Sequence, residues 1–211
     1  VGTLLVEDQA HPTITNVLKR EASFEEAIKP TGRENLFVVP SDSDLDTAAT
    51  HITGRRQSYY ILRDAVKKLQ GYDYIFFDHS PSYGPVTEAA LLASSEMVIP
   101  CELVPYAVQG LFLIFNKLQE TLTDHELANS GIIPFNVDMR YAMTKTYQDE
   151  IKQVFGEFIT PVMVRTDAMI PRSQSNRRTI FEQEQAEGEK SRAAEDFKSL
   201  AEFFVRSTIN A

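Results

Sequence analysis

Only one cysteine, Cys101, occurs in the 211 residues, so an intramolecular disulfide is excluded. The thiol sits in an apolar run and reads as a buried, inert group. No apolar stretch approaches the roughly 20 residues that a membrane-spanning helix needs. No secretory signal reads at the N-terminus, and a cytoplasmic protein is expected. Basic residues are in the minority, 21 Lys and Arg against 30 Asp and Glu, for a formal net charge of −9. That balance excludes a globally basic nucleic-acid coat but leaves room for a local basic patch. The histidines (His11, His51, His79 and His125) show no paired metal-ligand spacing, so no zinc site is expected. Ser80 and Ser82 lack the context of a nucleophile elbow. No internal repeat or low-complexity tract is present. Glycine is sparse, and none of it forms a Gly-rich loop ending in Lys-Thr or Lys-Ser; Gly32-Arg33 and Gly54-Arg55-Arg56 are isolated turn glycines. Without such a loop, tight binding of a triphosphate has no evident structural source within these residues.

What is present is an alternation of short apolar runs with longer helical periods. Runs at Leu4–Val6, Leu36–Val39, Tyr74–Phe77, Met97–Ile99, Ile132–Val137 and Pro161–Val164 predict six strands. Unbroken apolar runs of this length suit strands covered on both faces, as in a parallel sheet. Between them, Leu62, Ala65, Val66 and Leu69 recur at helical spacing, as do Val108, Leu111, Phe112 and Phe115. Met143, Tyr147, Ile151, Val154 and Phe155 form a third stripe, and Ala193, Phe197, Leu200, Ala201 and Phe204 a fourth. The polar stretch Gln183 to Lys190 reads as a loop entering the last helix. Strand, helix, strand, helix predicts an α/β fold, a doubly wound and mostly parallel sheet with helices on both faces. Ligands in such sheets bind outside the carboxyl ends of the strands. That directs attention to residues 7–11, 78–84 and 100–110.

The most informative stretch is Tyr72-Asp-Tyr-Ile-Phe-Phe-Asp78-His-Ser-Pro81-Ser-Tyr-Gly84. An acidic residue after an apolar strand sits where a carboxylate can help hold Mg²⁺, and equally where one can cap a turn. Read onward, Ala89-Ala90-Leu91, Val98-Ile99-Pro100 and Tyr106-Ala107-Val108-Gln109-Gly110-Leu111 follow in order. Together these pieces resemble the ParA/MinD family of P-loop ATPases, most nearly ParA-type partition proteins, with Ser80 where the family has the first of two prolines. The resemblance covers nearly the whole chain. It implies a single ParA-like α/β domain over residues 1–211. The first strand, the Lys-Gly-Gly-x-Gly-Lys-Thr-Thr loop and the first helix are not among these residues. Because the chain starts at Val1, an upstream segment is expected.

The resemblance also assigns roles. Asp78 falls on the Walker B acid, a Mg²⁺ contact. Glu7 falls on the acid that orients the attacking water, and Gln9 on the second acid of the same motif; the alternative for Glu7 is a solvated strand-end carboxylate. Asn136 matches a purine-contacting Asn, a turn-forming Asn being the alternative. Residues 168–178 resemble the loop over the base, with Pro171 as its contact. Arg172, Arg177, Arg178, Lys190 and Arg192 form the late basic cluster, either a solvated surface or a non-specific DNA patch. The family's activity would be ATP hydrolysis with Mg²⁺, in a homodimer that binds DNA non-specifically and is stimulated by a ParB-like adaptor. These residues alone are expected to hold little or no ATP. No Lys-rich amphipathic tail follows Phe204, so no membrane anchor is expected. A non-hydrolysing ParA-like binding module is the second reading, favoured by the altered Glu7-Asp8-Gln9 motif and by Ser80.

Overall fold

The computed structural model describes residues 11–53, 56–79, 83–121, 127 and 129–209. The strand read at Leu4–Val6, with Glu7 and Gln9, lies outside the described residues, as do Ser80 and Pro81. The chain divides into two compact units, one running to Ser95 and including Leu127, the other beginning at Glu96.

The first unit starts with α1 (Ile14–Leu18) and α2 (Phe24–Ala27). Ser23 caps α2: its hydroxyl accepts from Glu26 N at 3.2 Å while Ser23 N donates back to the Glu26 carboxylate at 2.8 Å. Asp42 ties the start of α1 to a later loop, accepting from the hydroxyls of Thr13 and Thr15 and from Asp44 N. Burial pushes the Asp42 carboxyl up, but those hydrogen bonds outweigh it and leave its pKa below the ordinary value. The two-residue strands β1 (Lys29–Pro30) and β2 (Phe37–Val38) pair antiparallel. Next come α3 (Leu45–Thr53), a 3-10 turn at Arg56–Tyr60, α4 (Ile61–Val66) and α5 (Pro85–Ala93). Val17, Leu18, Phe24, Ala48, Ile52, Leu62 and Ala89 make its core.

Two strand expectations are corrected in this unit. The run Leu36–Val39 is not a long parallel strand but one arm of a tight hairpin. Gly32 and Asn35 both have positive φ, and Thr31 closes the turn on the Leu36 carbonyl. The run Tyr74–Phe77 takes no regular secondary structure and joins no ladder among the described residues. Phe77 packs on the core, yet Phe76 is 88% exposed. High β-propensity does not make a strand unless a second strand takes its N–H and C=O groups.

The second unit is a parallel crossover. Strand β3 (Glu96–Glu102), helix α6 (Pro105–Thr121) and strand β4 (Asn129–Phe135) follow in order, and β3 pairs with β4 in parallel, Ile99 opposite Ile132. Side chains alternate across a strand, so neighbours Ile132 and Ile133 enter different cores. Ile132 joins Leu111 of α6 and Ile151 and Phe155 of α7 (Ala142–Phe155). Phe115 packs against Phe155 with tilted rings, their centroids 4.8 Å apart. Ile133 joins Met169 of α8 (Met169–Ser175), Ile180 of α9 (Ile180–Glu187) and Ala193 and Leu200 of α10 (Arg192–Ile209). Helices thus cover both faces of the parallel pair, the doubly wound arrangement.

The run Pro161–Val164 lies parallel beside β4, but only single bridges form, Ile132 with Ile159 and Val137 with Arg165. Proline has no N–H, so Pro134 and Pro161 cannot give the rungs that would make this a ladder. Thr160 N and Val164 N still donate to the carbonyls of Ile132 and Pro134 at 2.9 and 2.8 Å. The expected loop over Gln183–Lys190 is also corrected, since residues to Glu187 are helical. Thr179 and Glu182 form a capping box at the start of α9, and Gly188, at φ 67°, ends it. Gln183 is buried there because its amide is satisfied, accepting from Asn176 and donating to Glu187.

Candidate functional site

A cleft of about 800 Å³ opens in the second unit outside the carboxyl end of β4. Its walls are residues 135–140, the connection 165–168 and the first turns of α8, with Arg192 at the rim. This is where a parallel α/β sheet presents its loops.

Asn136 turns the chain out of β4 with φ 52°, a left-handed conformation that Asn tolerates better than most residues. The Thr166 hydroxyl shares its single proton between the Asn136 backbone carbonyl at 3.0 Å and the Asn136 side-chain oxygen at 3.1 Å. The Asn136 amide NH₂ donates to Glu102 Oε1 at 3.3 Å. Val137 N and Thr166 N complete the connection, donating to Val164 O and Val137 O at 3.0 Å each.

Asp167 fixes the next step. Its carboxylate accepts from Met169 N at 2.9 Å, from the Ser191 hydroxyl at 3.1 Å and from Ala193 N at 3.3 Å. One carboxylate thereby holds the starts of both α8 and α10, where free N–H groups favour a negative charge. Burial pushes the Asp167 carboxyl up, but these bonds outweigh it and its pKa falls below the ordinary value. Arg165 grips Asp196 of α10 through its guanidinium, with Nη2 2.7 Å from Oδ1, and through its backbone N at 2.9 Å. On the opposite wall Asp138 takes the Arg140 guanidinium and backbone N, which hold its carboxyl down at about 2. Arg140 is solvent-exposed, so that pair orients the loop and adds little to stability.

Asn136 and Pro171 both line this cleft, together with Arg192. Pro171 lies in the first turn of α8, where a missing N–H costs nothing. Arg172 is engaged, 2.8 Å from Glu187 and 3.7 Å from Glu189. Arg177, Arg178, Lys190 and Arg192 are exposed and make no ion pair among the described residues. Asp78 belongs to the first unit, directly after Phe77, and is exposed. Glu7 lies outside the described residues. No cluster of three or more His, Cys, Asp or Glu that could hold a metal occurs among the described residues. Thr166, Asp167 and Glu102 were not anticipated. The Thr-Asp pair just after the run Val162–Val164 is the signal that marks two of them.

Residues 1–132 match the family model described as an AAA domain. This chain is a member of the ParA/MinD family of P-loop ATPases. The cell division protein PomZ of Myxococcus xanthus is 27% identical over 175 residues, covering 80% of this chain and 54% of PomZ. The chromosome partitioning protein ParA of the same organism is 28% identical over 166 residues, 77% of this chain and 59% of that protein. The chain thus spans little more than half the length of these two relatives. Among solved structures, McdA of Cyanothece in complex with ATP superposes with a TM-score of 0.74 at 20% identity, over 89% of this chain and 80% of that one. The fold is therefore that of the P-loop NTPases. No helix among the described residues is long and apolar enough to cross a membrane.

Proposed function

We propose that the protein is a ParA-type partition or positioning ATPase, with the base of ATP held in the cleft between residues 135–140 and 165–171. The observation that carries this reading is the placing of Asn136 and Pro171 on one cleft at the carboxyl end of β4. The cleft suits a purine: it has an amide that can pair with ring edges, a proline wall, and room for a nucleoside. The McdA–ATP complex supports ATP as the nucleotide in a protein of the same fold. Asp78 is assigned to Mg²⁺ and Glu7 to the attacking water. When bound, Mg²⁺ would offset charge on the phosphates, and the protein would contribute positioning and electrostatics. The phosphate-binding loop has no counterpart in these residues. The nucleotide-bound form is a homodimer that binds DNA without sequence preference through Arg177, Arg178, Lys190 and Arg192, with Arg172 behind them, and a ParB-like adaptor resets it.

The altered Glu7-Asp8-Gln9 motif favours a second reading, a ParA-like module that binds nucleotide without hydrolysing it. Gln9 cannot act as a base, and a one-methylene displacement of the Glu7 carboxylate can be expensive in catalysis.

Binding to a random-sequence duplex in ATP and in ADP, in a form of the protein that carries a phosphate-binding loop, tests the proposal. Affinity is expected to be at least about tenfold higher with ATP, and to fall steeply with salt. Arg177→Glu with Arg178→Glu should reduce the salt slope by about 2, the loss of two phosphate contacts. Equal binding in ATP and ADP would contradict the partition reading. ATP-dependent binding without turnover would select the non-hydrolysing module.

A further inference from the structure

We infer that Glu102, with Thr166, locks the Asn136 amide in one orientation and so makes the base subsite discriminate between a 6-amino and a 6-oxo purine. This rests on the reading above, in which Asn136 faces the base.

A primary amide can sit either way round in a site, because its oxygen and nitrogen have nearly the same shape. The two orientations present opposite hydrogen-bonding patterns, and so do the two purine classes. Adenine carries a donor amine at C6 beside an acceptor nitrogen at N1. Hypoxanthine and guanine carry an acceptor oxygen at C6 beside a donor N1–H. An amide free to flip can pair with either purine, whereas an amide held one way round can pair with only one.

The structure supplies the lock. The Asn136 amide reaches the Glu102 carboxylate at 3.3 Å through its NH₂. An ionised carboxylate only accepts hydrogen bonds, so a flipped amide would set oxygen against oxygen there. Thr166 works on the other end, donating to the Asn136 side-chain oxygen at 3.1 Å. Its one proton is shared with the Asn136 backbone carbonyl at 3.0 Å, so the Glu102 carboxylate is the stronger half of the lock. The two partners stand 34 and 30 residues from Asn136 in sequence, one at the end of β3 and one on the connection that lines the cleft. Each uses one hydrogen-bonding position of the amide, which leaves one N–H and one lone pair for a ligand. Both are positioning residues, since they act through Asn136.

Adenosine and inosine are suitable probes, because they differ only in the 6-position and the N1 proton and need no phosphate cradle. Each is titrated into the full chain while the Asn136 side-chain amide and the backbone amides of residues 135–140 are followed by NMR. The native chain is expected to bind adenosine about tenfold or more tightly than inosine, the discrimination of one bidentate amide pair. Glu102→Gln keeps the shape but can offer either a donor or an acceptor, so the ratio should fall to about threefold or less. Thr166→Val, which removes only the hydroxyl, should lower the ratio in the same direction and serves if the first variant fails to fold. A purely structural role would change both affinities or the melting temperature and leave the ratio alone. If Asn136→Ala abolishes adenosine binding while Glu102→Gln and Thr166→Val keep the native ratio, the lock is overturned and the base site stands. If adenosine shifts no resonance in residues 135–140 or 165–171, the base site itself is overturned and the lock falls with it.

Discussion

Replacing Asp78 with alanine is expected to lower ATP turnover about a hundredfold or more, in a form of the protein that hydrolyses ATP, the usual cost of one lost electrostatic element. Stability should change by no more than about 0.5 kcal/mol, the range for an exposed position away from special features. The reasons lie in its surroundings. Asp78 is exposed and directly follows the apolar run that ends at Phe77. A carboxylate so placed contributes nothing to the core, yet it can compensate the charge of a metal bound with the phosphates. Melting temperature and steady-state turnover, measured on the same preparation, separate the possibilities. A folding defect with unchanged turnover per folded molecule would remove Asp78 from the site.

Asp167→Ala is expected to cost about 2 kcal/mol in urea unfolding, because it removes capping contacts from two helices. Met169 N, Ala193 N and the Ser191 hydroxyl all lose their acceptor. The loss should spread to the cleft, since the connection carrying Thr166 is pinned on one side by Asp167 and on the other by the Arg165–Asp196 pair. The pH dependence has a definite sign. The Asp167 pKa is lowered in the folded chain, so its contribution is complete above the ordinary carboxylate value and fades as pH falls through the lowered one. The gap between native chain and variant should therefore be constant near neutrality and close in acid. A cost under about 0.5 kcal/mol at pH 7 would mean that these helix starts hold without the carboxylate.

The parts of this fold that were legible in the sequence are those whose partners are supplied by the periodicity itself. Helices α6, α7 and α10 follow their apolar stripes, and β3 and β4 follow unbroken apolar runs between prolines and turns. Where an element depends on a partner, periodicity misleads. Tyr74–Phe77 has the composition of a buried strand and pairs with nothing among the described residues, and Phe37–Val38 obeys the turn at Gly32 and Asn35 rather than its own propensity. Helix α9 was hidden because its buried face includes Gln183, whose burial depends on Asn176 and Glu187. Its Thr179–Glu182 capping box and Gly188 were the readable signs.

The candidate site divides in the same way. Asn136 and Pro171 were read from a family pattern, and the structure puts them on one cleft. Glu102, Thr166 and Asp167 act through partners 24 to 34 residues away. No local pattern encodes such pairs, and they become visible only once β3, β4 and the 165–168 connection are side by side.

Whether Asn136 and Pro171 hold the base of ATP is tested most directly by photolabelling a form of the protein that carries a phosphate-binding loop with 8-azido-ATP and mapping the modified peptides. The label is expected within residues 135–140 or 165–174, and unmodified ATP in excess should suppress it. Labelling confined to residues before Ser95, or labelling that excess ATP does not suppress, would contradict the assignment of this cleft to the nucleotide base.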